Sequence, residues 1–520
     1  MKKLSFILIL FICISNLHAN NVLVSNATLV NQNIVSQYTS VQFDLSWENS
    51  WRYNAGPKNW DAAWVFVKYQ VFGQSWKHAS LSNSAGDHSV ANDNGVTSSI
   101  SPTTDGKGVF AYRSNPIANG NLGNINWTGV QLRWNYGADG VLSADKVTIK
   151  VFAIEMVNIP TGPFFIGDGT VGANQFRDGI GYPFQITSEN ALSFQNTSAS
   201  STSQPSDPIR TNGYTLNASF PKGYQEFYVM KYEMSQFQYM EFFNTLPNNT
   251  ILKGNKNIGQ AGGQRNMLSW SGLANDGMVL TSGSGDRACS NLSWIELCAY
   301  ADWAALRPMS ELEYEKASRG CDNTNAAVAV FPVQNEYAWG TTTIVGIINP
   351  NSSSYIFNDN TNTEGINGGC TSVNTLYCRY NCDGPVRVGI FAAKGCTSNQ
   401  RELSGASYYG VLELSGNVAE LVSGTYDNCY GNGAIFPSNV HGDGVLSSNG
   451  HANEAYWISN CLGGSDLYSA SYSPVVVRGG GWADAANNLR VSDRSQIANS
   501  SCGNGCTRSA DYGGRLVRMP

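Results

Sequence analysis

The sequence predicts an α+β protein in two parts, an antiparallel β-sandwich over residues 20–153 and a loop-rich region with a few helices over residues 154–520. Three observations carry that reading. Up to about Ile154 the chain runs in short segments of period two and holds no cysteine after Cys13. Beyond Ile154 the pattern changes to three helix-start signals set in long connections, and the remaining cysteines all fall between Cys289 and Cys506.

In the first part the runs are Val41-Gln-Phe-Asp-Leu-Ser-Trp47, Ala63-Trp-Val-Phe-Val-Lys-Tyr69, Val130-Gln-Leu-Arg-Trp134 and Val147-Thr-Ile-Lys-Val-Phe152. Turn residues separate them. Successive side chains of a strand point to opposite faces, so β-branched and aromatic residues at period two suit antiparallel strands, and several around one core make a sandwich. Seven tryptophans lie between Trp47 and Trp134. Rings at that density form either a core or a stacking surface for sugars, and filling a core is the commoner use of the side chain.

In the second part a helix is expected from near Ser235, with Phe237, Met240 and Phe243 on one face and the Ser235 hydroxyl accepting from the first turn. Ser293-Trp-Ile-Glu296 is a capping box that opens a helix running through Cys298, Ala301 and Trp303. Ser310-Glu-Leu-Glu313 is another, and its helix should stop at Arg319-Gly320, where glycine can take the left-handed conformation. Each cap contributes roughly 1 kcal/mol. Past Ala338 the chain is mostly irregular, and such a length folds stably when cross-linked, metal-bound or wrapped on its own core.

The chain opens with Met1, Lys2 and Lys3, an apolar run from Leu4 to Ile14 and a small residue at Ala19. Residues 1–19 are therefore expected to be a cleaved signal peptide that sends the mature chain to the periplasm, the cell surface or the medium. The run is too short to cross a hydrocarbon layer of about 30 Å, and no later segment is apolar enough for a membrane span. With 13% charged residues, a net charge of −6 and no basic stripe, nucleic acid is excluded as a partner. Hydrophobic content of 42% is ample for the cores of two or three domains.

Twelve cysteines less Cys13 leave eleven in the mature chain, and an exported domain is expected to pair most of them as disulfides. An odd count leaves at least one thiol. Cys370, Cys378, Cys382 and Cys396 crowd one loop, but their spacing fits no compact zinc pattern and no histidine lies near, which favours disulfides. Cys502 and Cys506 are close enough in sequence for a local bridge. Because the first part has no cysteine, the two parts are expected to melt separately under reduction.

Read in order, the second part resembles the formylglycine-generating, or sulfatase-modifying, enzyme family. Met156-Val-Asn-Ile-Pro-Thr-Gly-Pro-Phe-Phe-Ile-Gly167 resembles its opening strand, and Phe227-Tyr-Val-Met-Lys-Tyr-Glu-Met-Ser235 the entry to its first helix. Leu306-Arg-Pro-Met-Ser-Glu-Leu-Glu-Tyr-Glu-Lys-Ala-Ser-Arg-Gly320 is similar to its most recognisable helix. Tyr337-Ala-Trp-Gly340, Gly410-Val-Leu-Glu-Leu-Ser-Gly-Asn-Val-Ala-Glu420, Arg478-Gly-Gly-Gly-Trp482 and Gly514-Arg515 follow in the family's order. The resemblance covers about Ile154 to Pro520 and implies a complex fold of the C-type-lectin kind with little regular secondary structure. The first part, with Asp44-Leu-Ser-Trp-Glu-Asn-Ser-Trp-Arg52, looks like modules that precede such domains in secreted bacterial proteins.

The departures bear on function. Active members of the family are alike in placing two cysteines shortly after the Arg-Gly-Gly segment, where they bind copper(I) and oxidise a substrate cysteine. Here that stretch is Ala483-Asp-Ala-Ala-Asn-Asn-Leu-Arg490, with no thiol. Soft thiolates hold copper(I), and neither Asp484 nor Asn487 replaces them, so no catalytic residue is assigned and copper is not expected. A second branch uses histidine-ligated iron, but His78, His88, His441 and His451 include no metal-spaced pair. Gly416-Asn-Val-Ala-Glu420 resembles a calcium site of the family, which implies calcium held by Asn417, Val418 and Glu420; the alternative is a pair between Glu420 and an arginine such as Arg478.

The leading expectation is a secreted, noncatalytic protein for ligand binding or surface assembly, with a protein or glycan partner at the cell surface. The resemblance places a candidate ligand surface at Trp482, Asp484, Asn487, Asn488, Arg490, Asp493 and Arg494, of which Arg490 and Arg494 read equally well as core braces. The alternatives are a protein-modifying oxidoreductase with a non-standard site and a variable lectin-like adhesin.

Overall fold

A computed structural model describes residues 22–520 apart from 119, 171, 173, 197–199, 209–212, 260–264, 282–284, 321–330, 345–383, 391–400, 426–436, 455–456, 458–474 and 498–507. The main strands of the first part are β1 (Leu23–Asn33), β2 (Tyr38–Ser50), β3 (Asp61–Val71), β4 (His88–Asn92), β5 (Ser98–Pro102), β6 (Val109–Arg113), β7 (Gly123–Trp134) and β8 (Val147–Ile159). Short strands follow: β9 (Phe227–Met230), β10 (Arg307–Pro308), β11 (Ala419–Ser423), β12 (Val475–Arg478), β13 (Tyr512–Gly513) and β14 (Leu516–Arg518). Strand outweighs helix, and the protein is a β-rich α+β fold.

One sheet has the order β1-β2-β7-β4, and a second runs β10-β14-β9-β8-β3-β6-β5. Phe43, Leu45 and Trp47 of β2, Leu132 and Trp134 of β7, and Val65, Val67 and Tyr69 of β3 share one hydrophobic cluster, so the two sheets bury a common face. Trp47, Trp64, Trp127 and Trp134 are each less than 2% exposed. Each ring removes roughly 150–250 Å² from water. Their indole N–H groups are also satisfied, Trp47 on Asp61 at 2.9 Å, Trp127 on the Val96 carbonyl at 2.8 Å and Trp134 on Asp139 at 2.6 Å. These rings are core, not a sugar-stacking surface.

β3 is buried at every position from Asp61 to Tyr69, because both of its faces are covered. One face meets the first sheet; the other carries Ala62, Trp64 and Phe66 into a cluster shared with the helices of the second part. The sequence boundary near Ile154 falls inside β8. That strand pairs with β3 from Asp61↔Val157 to Val71↔Val147, and on its other edge with β9 from Phe227↔Ile159 to Met230↔Met156. One sheet thus passes through the boundary. Lys231, just beyond β9, is 1% exposed and lies 2.9 Å from Glu155 and 3.5 Å from Asp61. Burial alone would lower its pKa, but Glu155 and its other anionic neighbours hold it well above the ordinary value.

The helices are α1 (Gln236–Asn244), α2 (Thr250–Asn255), α3 (Trp294–Trp303) and α4 (Glu311–Arg319). The expected boundaries and caps are present. Ser310 Oγ accepts from Glu313 N at 3.1 Å while Glu313 Oε2 accepts from Ser310 N at 3.0 Å, and Glu296 accepts from Ser293 N at 2.8 Å. Gly320 ends α4 at φ +83°, where an added Cβ would stand 2.1 Å from the Tyr408 ring. The face of α1 differs from expectation: Tyr239, Phe242 and Phe243 are buried, and Phe237 and Met240 only partly. The rotation brings Phe242 edge-on to Trp303 of α3, with ring centroids 5.5 Å apart. No helix among the described residues is long and apolar enough to cross a membrane.

Candidate functional site

α4 is buried along its whole length although Glu311, Glu313, Glu315, Lys316 and Arg319 are charged. Buried charges persist only when paired. Arg478, at the end of β12, donates to Glu311 at 3.0 Å and Glu315 at 2.5 Å; Arg494 donates to Glu311 at 2.8 Å and to Asp207 at 2.7 Å. Arg319 bonds Glu315 and, at 2.6 Å, Glu336, while Arg307 grips Glu313 with two bonds of 2.8 and 2.6 Å. Burial would raise Glu315, but Arg319 and Arg478 hold it below its ordinary value. The segment from Arg478 to Arg494 is therefore clamped at both ends onto α4.

Between the clamps the chain turns at Gly479 and Gly480, both at positive φ. A Cβ on Gly479 would lie 2.6 Å from the Leu414 carbonyl oxygen, so the close approach needs glycine. A short helical turn over Ala486–Leu489 then borders a cavity of about 200 Å³ lined by Asp168, Thr170, Asn335, Asn487, Arg490, Ser492, Asp493 and Ser495. The walls brace one another. Asp168 accepts from Thr170 N at 2.9 Å, from the Thr170 hydroxyl at 2.6 Å and from Asn335 N at 2.9 Å. One oxygen of Asp493 takes both the amide and the hydroxyl of Ser495, at 2.9 and 2.5 Å. Arg490 Nε is buried with no acceptor, and among the described residues this guanidinium forms no ion pair.

Of the seven residues expected at the ligand surface, Asn487, Arg490 and Asp493 line the cavity. Asn488 supports it from behind, donating to Ser495 Oγ at 3.0 Å. The others point elsewhere. Trp482 is 8% exposed, packs with Tyr232, Leu412 and Val418, and donates to the Ala510 carbonyl at 3.1 Å. Asp484 accepts from Gly481 N and from Gln496, each at 2.8 Å. Arg494 is a brace, with its guanidinium 3.7 Å from the centre of the Phe176 ring. Sequence reasoning missed the opposite wall, Asp168, Thr170 and Asn335, because no local pattern ties residues so distant in the chain to the loop that holds Asn487 and Arg490. The one local signal was Asp168-Gly-Thr170 directly after the opening-strand motif.

A family model for the sulfatase-modifying factor enzyme 1-like domain matches residues 145–520, well over half of the chain. The chain belongs to the sulfatase-modifying factor family. No curated protein matches it significantly over any part. The match begins just ahead of β8, the strand that pairs with β3 of the first part on one edge and β9 of the family domain on the other.

The residues that the family resemblance assigns to calcium lie in a buried network of hydrogen bonds and ion pairs. Asn417 sits at φ +63°; its Oδ1 accepts from Val386 N at 2.9 Å, its Nδ2 donates to Glu233 at 2.5 Å and its carbonyl accepts from Trp482 N at 2.7 Å. Val418 N donates to Glu233 at 2.9 Å. Glu420 stands opposite Arg478 in the β11–β12 register but pairs with Arg515 at 2.5 Å. The Asn417 amide oxygen and Glu420 Oε1 are engaged by protein groups, while Glu420 Oε2 and the neighbouring Glu413 Oε2 are buried with no described hydrogen-bond partner. Burial raises Glu233 and Glu420, with repulsion from Glu413 and Glu420 adding to it at Glu233, and burial pushes Glu413 beside them up to about 7.

Cys289 and Cys298 are free thiols with no exposure, and burial pushes both well above the ordinary thiol range. The pairings expected of Cys370, Cys378, Cys382, Cys396, Cys502 and Cys506 lie outside the described residues. A second acidic group, Asp302, Asp443 and Glu454, has its carboxylate oxygens within 4.8 Å of one another. Lys68 stands beside it, donating to the Gly444 carbonyl at 3.2 Å; burial lowers it to about 7, partly opposed by the Asp302 and Asp443 charges. The lysine supplies the countercharge there.

Proposed function

We propose that this member of the sulfatase-modifying factor family is an exported, noncatalytic protein that holds a ligand, or assembles on a surface, through the cavity beside Arg490. One observation supports the reading above the rest. The stretch where active members carry their copper-binding cysteines is Ala483 to Arg490 here; it has no thiol, and it gives Asn487 and Arg490 to a polar cavity instead. The two described thiols are buried and strongly disfavoured as thiolates, so they make poor substitutes. The Met1 to Ala19 segment supports export, and the burial of Trp482 and Arg494 speaks against a freely variable adhesin face at those positions. The test is mass spectrometry of a cysteine-containing sulfatase-motif peptide after incubation with the mature protein and copper. The peptide is expected to keep its thiol. Conversion of the cysteine to an aldehyde overturns the noncatalytic reading.

A further inference from the structure

We infer that the cavity beside Arg490 takes a neutral, hydroxyl-rich unit the size of one monosaccharide. The inference rests on the ligand-holding reading above and adds the chemistry. At about 200 Å³ the cavity is smaller than the roughly 300–1,000 Å³ that accommodates larger organic ligands, so it admits one small unit. No aromatic ring lines it, and recognition must run through hydrogen bonds.

The hydrogen-bond inventory selects the ligand class. Asp168 has both oxygens occupied by wall N–H and O–H groups, and Ser492 Oγ accepts from Arg319. Among the lining side chains, those left without a described partner are the terminal nitrogens of Arg490, the side-chain amides of Asn335 and Asn487, and the second oxygen of Asp493. That set mixes donors with acceptors. A carboxylate only accepts and an ammonium only donates, so either leaves part of the set unmatched, whereas a hydroxyl does both. The charge balance agrees. Asp168 and Asp493 outnumber Arg490, which disfavours an anion, and the unpaired guanidinium disfavours a cation. Neighbouring hydroxyls on one ring can accept from the terminal nitrogens of Arg490, which have no described partner, while donating to Asp493.

The experiment is saturation-transfer NMR on the full mature chain with two panels: methyl glycosides of neutral hexoses, and a control panel of glycine, glutamate and glucuronate. At least one neutral glycoside is expected to receive saturation. Arg490→Met should weaken its binding by about tenfold or more, the loss expected for hydrogen bonds from a charged donor. Asn487→Ala, at an exposed residue whose side chain makes no described hydrogen bond, should weaken it with an unchanged melting curve and so guards against a folding artefact. Three results overturn the inference. Arg490-dependent binding of the control panel but not the glycosides means the chemistry is wrong while the cavity still holds a ligand. Glycoside binding that both variants retain means the site is wrong. Silence from both panels defeats the hydroxyl assignment, and the peptide assay then decides the noncatalytic reading by itself.

Discussion

Replacing Arg494 by methionine removes a guanidinium that is 2% exposed and joins three parts of the chain. It donates to Glu311 at 2.8 and 3.0 Å, to Asp207 at 2.7 and 3.3 Å and to the Asn174 carbonyl at 3.1 Å. Glu311 keeps Arg478 at 3.0 Å and Thr425 N at 2.9 Å. Asp207, 1% exposed, keeps the Tyr214 hydroxyl at 2.9 Å and loses the cation that Arg494 supplied. Breaking a buried pair from one side costs about 3–5 kcal/mol, and the bonds that survive place this variant near the lower end, about 3 kcal/mol. Methionine fills most of the space, so little of that loss is a cavity. The pH dependence separates charge from packing. Arg494 acts on two carboxylates, so the deficit is small at pH low enough to protonate Asp207 and Glu311 and grows as pH rises and they ionise. Urea unfolding followed by tryptophan fluorescence between pH 4 and pH 8 measures it. Adding Asp207→Asn should recover part of the loss by removing a buried negative charge that Arg494 no longer balances. A loss under about 1 kcal/mol at neutral pH, the same loss at every pH, or no recovery in the double variant refutes the account of the clamp.

Three further outcomes follow from the same geometry. Burial lifts Glu413 from 4.5 to about 7, so its contribution is fully present below the unfolded value and lost as pH rises through the folded one; Glu413→Gln should gain stability relative to wild type between pH 5 and pH 8, and a pH-independent difference would argue against that protonation. Calcium should raise the melting temperature if Glu420 Oε2 and Glu413 Oε2, buried with no described partner, take the ion; an unmoved transition, or a full calcium response kept by Glu420→Ala, would argue against a metal site there. A chain cut after residue 153 ends inside β8 and uncovers the face bearing Ala62, Trp64 and Phe66, so it should bind a hydrophobic dye and self-associate; a monomeric, dye-negative fragment that unfolds cooperatively would show that the first part folds by itself.

The capping boxes at Ser293 and Ser310 and the glycine stop at Gly320 were legible because each is settled within three or four residues, between a side chain and the backbone beside it. The core role of the tryptophans was favoured only as the commoner use of the side chain, and the family followed from the order of seven motifs that no single fragment would have carried. The absence of thiols between Ala483 and Arg490 is likewise a statement of sequence alone. Tertiary structure decided the rest. Glu420 was expected as a calcium ligand, with a pair to an arginine such as Arg478 as the alternative; it stands in register with Arg478, yet its ion pair is with Arg515, because β13 and the residues after it arrive beside β11 from the far end of the chain. Arg490 and Arg494 looked alike in sequence; one is a clamp and the other an unpaired donor, since only Arg494 lands next to Asp207 and Glu311. The second sheet runs through the boundary at Ile154 because β8 has two edges to satisfy, and its partner β9 lies some seventy residues on. Caps, strand period and motif order are written in neighbouring residues, whereas the partner of a buried charge and the far wall of a cavity are set by which distant segments the closing core forces together.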